Sequence, residues 1–475
     1  MWKRLRFLVI LFFFSLSVTA ACSSPTVNTP TASPSPVTQV PEGVQKLRIW
    51  WAQGFIPEEN AVIAKLFDDW EKQSGVDVDL ALMSDANIFG EVQKALTQGN
   101  PPDILFSFSG DFNLYPRLAF DGQLADVTEI IKPMADAYIP VAIAAVQYQN
   151  NKANKRSFYG IPIAQQELHT NFWRDLLTEA ELKPEEVPTD WDKFWRFWQQ
   201  AHDKLRQKGK DKLYGIGMTV SANGTDAFWQ FEHILEAYNV SVVDDQGNLI
   251  IDQPRAREGI IKTINHLADL YTKKYIPEDS PNWGDANNNI GFLNRQLVMT
   301  MNPTLSIPLS QKQPDNIYNK NPRDRYFNKI ATIRFPNKPN GAPMTYLTSI
   351  RQIVMFASSK QQEAGKSLLR YLIEPVNLDK FLKDANKGRF FPVLKSQLGE
   401  PFWNDPDDPH LSAAAEQYRQ PARLIPIAAN PAYSQVPSQQ IWGKALVSVL
   451  KGEASPEQAA DRAIAKIKEV FTQWK

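Results

Sequence analysis

From Leu47 onward, short apolar runs alternate with amphipathic stretches. Leu47-Arg48-Ile49-Trp50-Trp51 reads as a buried strand, and Pro57-Glu58-Glu59 opens a helix with proline and acids in its first turn. Val62, Ile63, Leu66, Phe67 and Trp70 then recur at helical spacing until Ser74-Gly75 stops the helix. Residues 76–82 form the next expected strand, 88–98 the next helix, and 103–106 a third apolar strand. This βαβαβ order predicts a mainly parallel sheet covered by helices. Further strands are expected at 214–220 and 297–301, and helices at 190–206, 256–271, 360–373 and 440–450. Ser455-Pro456-Glu457-Gln458 combines an N-cap, a first-position proline and a capping-box glutamine ahead of Ala463, Ile464, Ile467, Val470, Phe471 and Trp474. It predicts the last helix.

The N-terminus reads as an address. Trp2-Lys3-Arg4-Leu5-Arg6 is basic, and the apolar run over 7–21 is shorter than the roughly 20 residues a spanning helix needs. It ends Val18-Thr19-Ala20-Ala21-Cys22, which resembles the lipobox of bacterial lipoproteins; Thr19 departs from the Leu or Val usual there. The expectation is a signal peptide over 1–21, lipidation of Cys22, and a membrane anchor in the cell envelope outside the cytoplasmic membrane. Residues 23–43 hold five prolines, four serines and four threonines, with Glu42 as the only charge. Such a stretch favours extended, polyproline-like conformations, so 22–45 is expected to be a tether reaching on the order of 60 Å.

Composition narrows the chemistry. The 475 residues carry 52 basic and 52 acidic side chains, and loss of 1–21 leaves a net charge of −3. No broad basic field is available for nucleic acid. The single cysteine rules out an internal disulfide, and the five histidines lack zinc-ligand spacing. No GxSxG, HExxH, Walker A or GxGxxG pattern occurs, and acid pairs such as Asp244-Asp245 and Asp407-Asp408 lie in polar stretches that read as solvated surface. No catalytic residue, cofactor or metal is expected.

Several ordered blocks resemble the extracellular solute-binding proteins of ABC importers, in the family that includes maltose-binding proteins. They are Leu96-Thr97-Gln98-Gly99-Asn100-Pro101-Pro102-Asp103-Ile104, Gly122-Gln123-Leu124-Ala125-Asp126-Val127-Thr128, Tyr159-Gly160-Ile161-Pro162-Ile163, Thr189-Asp190-Trp191-Asp192-Lys193-Phe194, Ala357-Ser358-Ser359-Lys360, and a C-terminal stretch over 441–467. The resemblance implies an α/β, two-lobed periplasmic-binding-protein fold. Each lobe would be a mainly parallel sheet flanked by helices, with a three-segment hinge near 163–166, 345–353 and 420–426. Lobe one would comprise 46–163 plus 353–420, and lobe two 164–352 plus 421–475.

The resemblance also implies a site in the cleft. Trp51 and Gln53 follow the first strand, Asp111 follows the third, and Gln166 lies just past the first crossing. Asp226, Trp229 and Trp442 fall where relatives carry an acid, an aromatic and a stacking Trp. Met299-Thr300-Met301-Asn302 continues into Pro303-Thr304-Leu305 rather than Gly-Pro-Trp, which leaves Trp283 as the candidate for the missing platform. Aromatic rings for C–H faces and amides or carboxylates for hydroxyls suit a sugar. The candidate set contains no arginine or lysine, so a neutral carbohydrate is expected. The implied function is a monomeric, lipid-anchored receptor delivering that sugar to an ABC permease. The alternatives are a secreted hydrolase with two cleft carboxylates, or a non-transporting sensor.

Overall fold

The computed structural model describes residues 46–244, 246–312 and 321–474. Strands β1 (Leu47–Ala52), β2 (Val78–Met83) and β3 (Ile104–Phe106) are parallel, with β1 in the middle and Ile49 opposite both Leu80 and Ile104. The intervening helix Pro57–Ser74 buries Ile63, Leu66, Phe67 and Trp70 and ends at Gly75, whose φ of 72° only glycine adopts without strain. Helix Asp85–Thr97 returns the chain to β3. The βαβαβ reading thus matches the observed elements and their strand direction.

A hairpin of β4 (Gln147–Asn150) and β5 (Lys155–Phe158) precedes β6 (Ile161–Glu167). Only Leu168 separates β6 from β7 (His169–Trp173), yet the two strands belong to different sheets. The chain therefore passes between lobes within one residue. β7 joins β8 (Tyr214–Gly217), β9 (Leu297–Asn302) and β10 (Ile330–Ile333) in the order β10-β7-β9-β8. This second sheet is mixed, with β8 and β9 parallel and β7 antiparallel to both of its neighbours.

The ten-residue β11 (Tyr346–Met355) carries the other crossing. Its start pairs with β12 (Ala422–Leu424), its middle with β6, and its end with β3, so the three segments expected to form the hinge are hydrogen-bonded together.

Each sheet has its own core. Trp51, Phe67, Phe106 and Phe381 centre the first. In the second, helix Trp191–Gln207 buries Trp191, Trp195 and Trp198, and its start is capped by Asp190, whose carboxylate accepts the Lys193 N–H. Helix Pro456–Thr472 begins with the full Ser455/Gln458 capping box.

Two exchanges tie the lobes together. Phe112, on the lobe-one loop after β3, packs in the second core against Phe228 and Trp229. Conversely Leu305, Leu309 and Tyr326, within the stretch expected for lobe two, pack in the first core. The local cause is Asn302, whose Nδ2 donates to the Thr304 carbonyl and Ser306 Oγ and turns the chain out of β9. Tyr326 Oη then donates to Asp408 at 2.7 Å and Lys312 pairs with the same carboxylate at 2.8 Å.

Candidate functional site

In open α/β sheets, ligands collect beyond the carboxyl ends of the strands, where loops rather than helices present side chains. After β3 the loop is held by Asp85, whose Oδ1 accepts the Ser107 hydroxyl at 2.7 Å and the Phe108 N–H at 2.8 Å. A helical turn, Gly110–Asn113, follows. A Cβ on Gly110 would sit 2.3 Å from the Tyr115 ring, so only glycine lets the turn lie this close. The turn presents Asp111 and Phe112.

Asp111 accepts hydrogen bonds from Ser349 Oγ and from Arg351 Nη1, the latter at 2.6 Å. The other arm of the guanidinium, Nη2, donates to Gln166 Oε1 at 2.5 Å. Arg351 therefore brings together two of the residues named from sequence. The β11–β6 register shifts between Arg351 and Gln352, and the neighbouring Gln352 instead accepts from Tyr148 Oη at 3.0 Å. Such a bulge re-aims side chains along a strand. Burial raises the Asp111 pKa, against the pull of Arg351.

A second buried pair lies alongside. Arg389 Nη2 donates to Glu59 Oε2 and to Asn386 Oδ1, both at 2.9 Å, and its guanidinium lies 4.7, 5.1 and 5.4 Å from the rings of Phe390, Phe108 and Phe55. Burial lowers the Arg389 pKa to about 10 and raises that of Glu59. Phe108 and Phe390 stack at 5.8 Å.

From the second lobe, helix Thr225–Ala237 brings Asp226 and Trp229. Asp285 caps this helix, accepting the Asp226 N–H at 2.9 Å and the Thr225 hydroxyl at 3.1 Å. Asp226 Oδ2 accepts from Asn288 Nδ2 at 2.9 Å. Burial, reinforced by the Asp285 charge, raises the Asp226 pKa well above the usual carboxylate range. Trp229 meets Phe112 edge-to-face at 5.5 Å, which puts it at the lobe junction.

The remaining expected aromatic residues pack in the lobe cores. Trp51 points into the lobe-one core and stacks on Phe106 at 4.4 Å, because strand alternation puts it on the same face as Leu47 and Ile49. Trp442 is 1% exposed, stacks on Phe231 at 5.0 Å and donates Nε1–H to Glu232 Oε1 at 2.7 Å. Both contacts hold it within lobe two. Trp283 is buried in the same core and its carbonyl accepts from Ser221 Oγ at 2.6 Å. Gln53 is exposed on the loop after β1, whose N–H bonds Met83 O at 2.8 Å.

Sequence reasoning missed Arg351, Arg389 and the phenyl rings of Phe108, Phe112 and Phe390. For Arg351 a signal existed: it is a charge inside the apolar run Ile350-Arg351-Gln352-Ile353-Val354, in a segment already read as a crossing. The lobe-one side of this cluster thus contains two buried arginines, each matched by a carboxylate. A cavity of about 30 Å³ lies beside Asp111, Ser349 and Gln352, with room for a water or two. The cluster combines carboxyl and amide oxygens, guanidinium donors and aromatic rings, a chemistry that suits a hydroxyl-rich solute. Among the described residues no His, Cys, Asp and Glu group is placed to hold a metal ion, and no helix is long and apolar enough to cross a membrane.

The fold recurs in solved structures. An ABC transporter solute-binding protein from Thermotoga lettingae bound with alpha-D-tagatose is 19% identical, with a TM-score of 0.71 over 90% of this chain and 99% of that one. Maltose-bound MalE3 of T. maritima is 18% identical, with a TM-score of 0.68 over 89% and 99%. The cyclic alpha-maltosyl-1,6-maltose binding protein of Arthrobacter globiformis is 18% identical, with a TM-score of 0.68 over 91% and 100%. No curated protein sequence matches the chain. Residues 65–412 match the family described as bacterial extracellular solute-binding protein. That match spans most of the chain and agrees with its two-lobed fold, and the chain belongs to this family.

Proposed function

We propose that the protein is a receptor that binds a neutral carbohydrate between its lobes and delivers it to an ABC permease, with no covalent chemistry and no cofactor. The carrying observation is the array of Asp111, Arg351 and Gln166 beside Phe112 and Phe390, with Phe112 meeting Trp229 at the lobe junction. Carboxyl and amide groups meet hydroxyls, and rings meet the C–H faces of a sugar. The tagatose, maltose and cyclic maltosyl-maltose named for the neighbours support this class of solute. Gln53, exposed on the loop after β1, is proposed to complete the set.

Ligand bridging the lobes favours the closed arrangement in proportion to its preference for that state, and the closed form is what a permease recognises. The receptor is proposed to act as a monomer tethered through lipidated Cys22. Cys22, the signal peptide and the linker lie outside the described residues. A thermal-shift screen against a sugar panel tests the reading. A sugar at about 100 times its dissociation constant adds about 2.7 kcal/mol of stability, whereas a panel that leaves melting unchanged while another solute class raises it refutes carbohydrate binding.

A further inference from the structure

We propose that Arg351 is the positioning residue of the solute site and that Asp111, by matching its charge, makes the site select uncharged sugars over carboxylate-bearing ones. This rests on the carbohydrate reading above and deepens it.

The geometry joins three separate elements. Asp111 comes from the loop after β3, Gln166 from β6 and Arg351 from β11, and one planar guanidinium holds the first two at 2.6 and 2.5 Å. Arginine presents five N–H donors in a rigid fork and has no acceptor, so it fixes the spacing of the two oxygens it binds. Ser349 Oγ holds the other oxygen of Asp111, which leaves that carboxylate little freedom to rotate. The register shift at Arg351 and Gln352 sends these neighbours to different partners, which is what lets a hinge strand aim a guanidinium at the cleft loop.

The charge argument is separate. The Arg351 guanidinium lies 5.6 Å from the Phe112 ring and 5.8 Å from the Phe390 ring, surroundings in which an unmatched cation would draw a carboxylate strongly. Asp111 cancels that attraction. Arg389, the other cation of the cluster, is cancelled likewise by Glu59 at 2.9 Å. The two arginines of the cluster therefore leave no net charge for an anion to find.

The test is calorimetry with maltose, D-glucose, D-galactose and D-tagatose as neutral probes and D-glucuronate and D-galacturonate as charged ones. The wild type is expected to bind a neutral probe at least tenfold more tightly than either uronate. Asp111→Asn, which frees the Arg351 charge, is expected to move that ratio at least tenfold toward the uronates. Arg351→Gln, which leaves Asp111 unopposed, is expected to move it the other way by a similar factor, so either variant suffices if its counterpart does not fold. Arg351→Lys keeps the charge but loses the fork. It is expected to weaken neutral binding at least tenfold while the ratio and the melting temperature stay near wild type. A ratio unmoved by both charge variants, or wild-type affinity in Arg351→Lys, overturns the proposal. A wild type that prefers uronates overturns the selector and keeps the carbohydrate reading, and a wild type that binds none of the probes overturns both.

Discussion

Arg351 and Asp111 are 240 positions apart in the chain and 2.6 Å apart in the fold, each with a side chain 7% exposed. Removing one member of such a buried pair leaves an uncompensated charge, at a typical cost of 3–5 kcal/mol. Exposed ion pairs such as Lys65 with Asp69 contribute about 0–1 kcal/mol. The contrast separates the groups that shape the site from those that decorate the surface.

Phe112 is the lobe-one ring seated in the lobe-two core, 5.5 Å from Trp229 and 6.2 Å from Phe228. An aromatic pair contributes about 0.5–1.5 kcal/mol beyond its buried area. Phe112→Ala is expected to shift the closed-to-open ratio by a factor of about 2 to 12. Small-angle scattering without added solute should show a larger radius of gyration than the wild type. Identical profiles would remove Phe112 from the closure contacts.

Trp442 supplies both a stacked ring for Phe231 and a donor for Glu232, a buried carboxyl that Tyr433 also bonds. Trp442→Ala is expected to cost about 3–5 kcal/mol in urea unfolding, from the cavity and the lost donor together. A cost under about 1 kcal/mol combined with weakened sugar binding would return Trp442 to the solute site.

Glu167, where the chain crosses between lobes, accepts from Thr348 Oγ1 at 2.8 Å and from Gln417 Nε2 at 3.0 Å, and burial raises its pKa to about 8. In the unfolded chain it titrates near 4.5. Between those values the folded state keeps a proton that the unfolded state has lost. The contribution of Glu167 is fully present below about pH 4.5 and declines by about 1.4 kcal/mol per unit as pH rises toward 8. Urea unfolding from pH 5 to 8 should therefore show a steeper decline for the wild type than for Glu167→Gln. Parallel curves would place the carboxyl's pKa near its ordinary value.

Cys22 is the only cysteine and directly follows Ala20-Ala21. Cys22→Ala is expected to move the protein from the membrane fraction to the soluble one. Wild type already recovered as soluble protein, with an N-terminus elsewhere, would refute the anchor.

Local chemistry made much of the scaffold readable. Pro57 lacks the N–H that a first turn would leave unpaired, and Asp190 before Trp191 and the Ser455/Gln458 pair satisfy backbone groups within one turn, so these helices begin where the pattern says. The parallel alignment of β1, β2 and β3 follows from short apolar runs joined by helices. The three crossing segments were also legible, through the family resemblance of the blocks around them, and they pair with one another.

Orientation toward the cleft was not. Trp51 and Trp442 carry the right chemistry for a sugar, yet strand alternation turns the first onto Phe106 and a buried acid captures the second. Nothing near Pro303 announces that Leu305 and Tyr326 will pack in the first core, since that depends on a turn at Asn302 and on Asp408 far along the chain. The sequence by itself determined the order of elements and the caps of the helices, because these rest on contacts within a few residues. Only the tertiary structure decided which charges neutralise one another, because Glu59 meets Arg389 and Asp111 meets Arg351 across separations that no local period encodes.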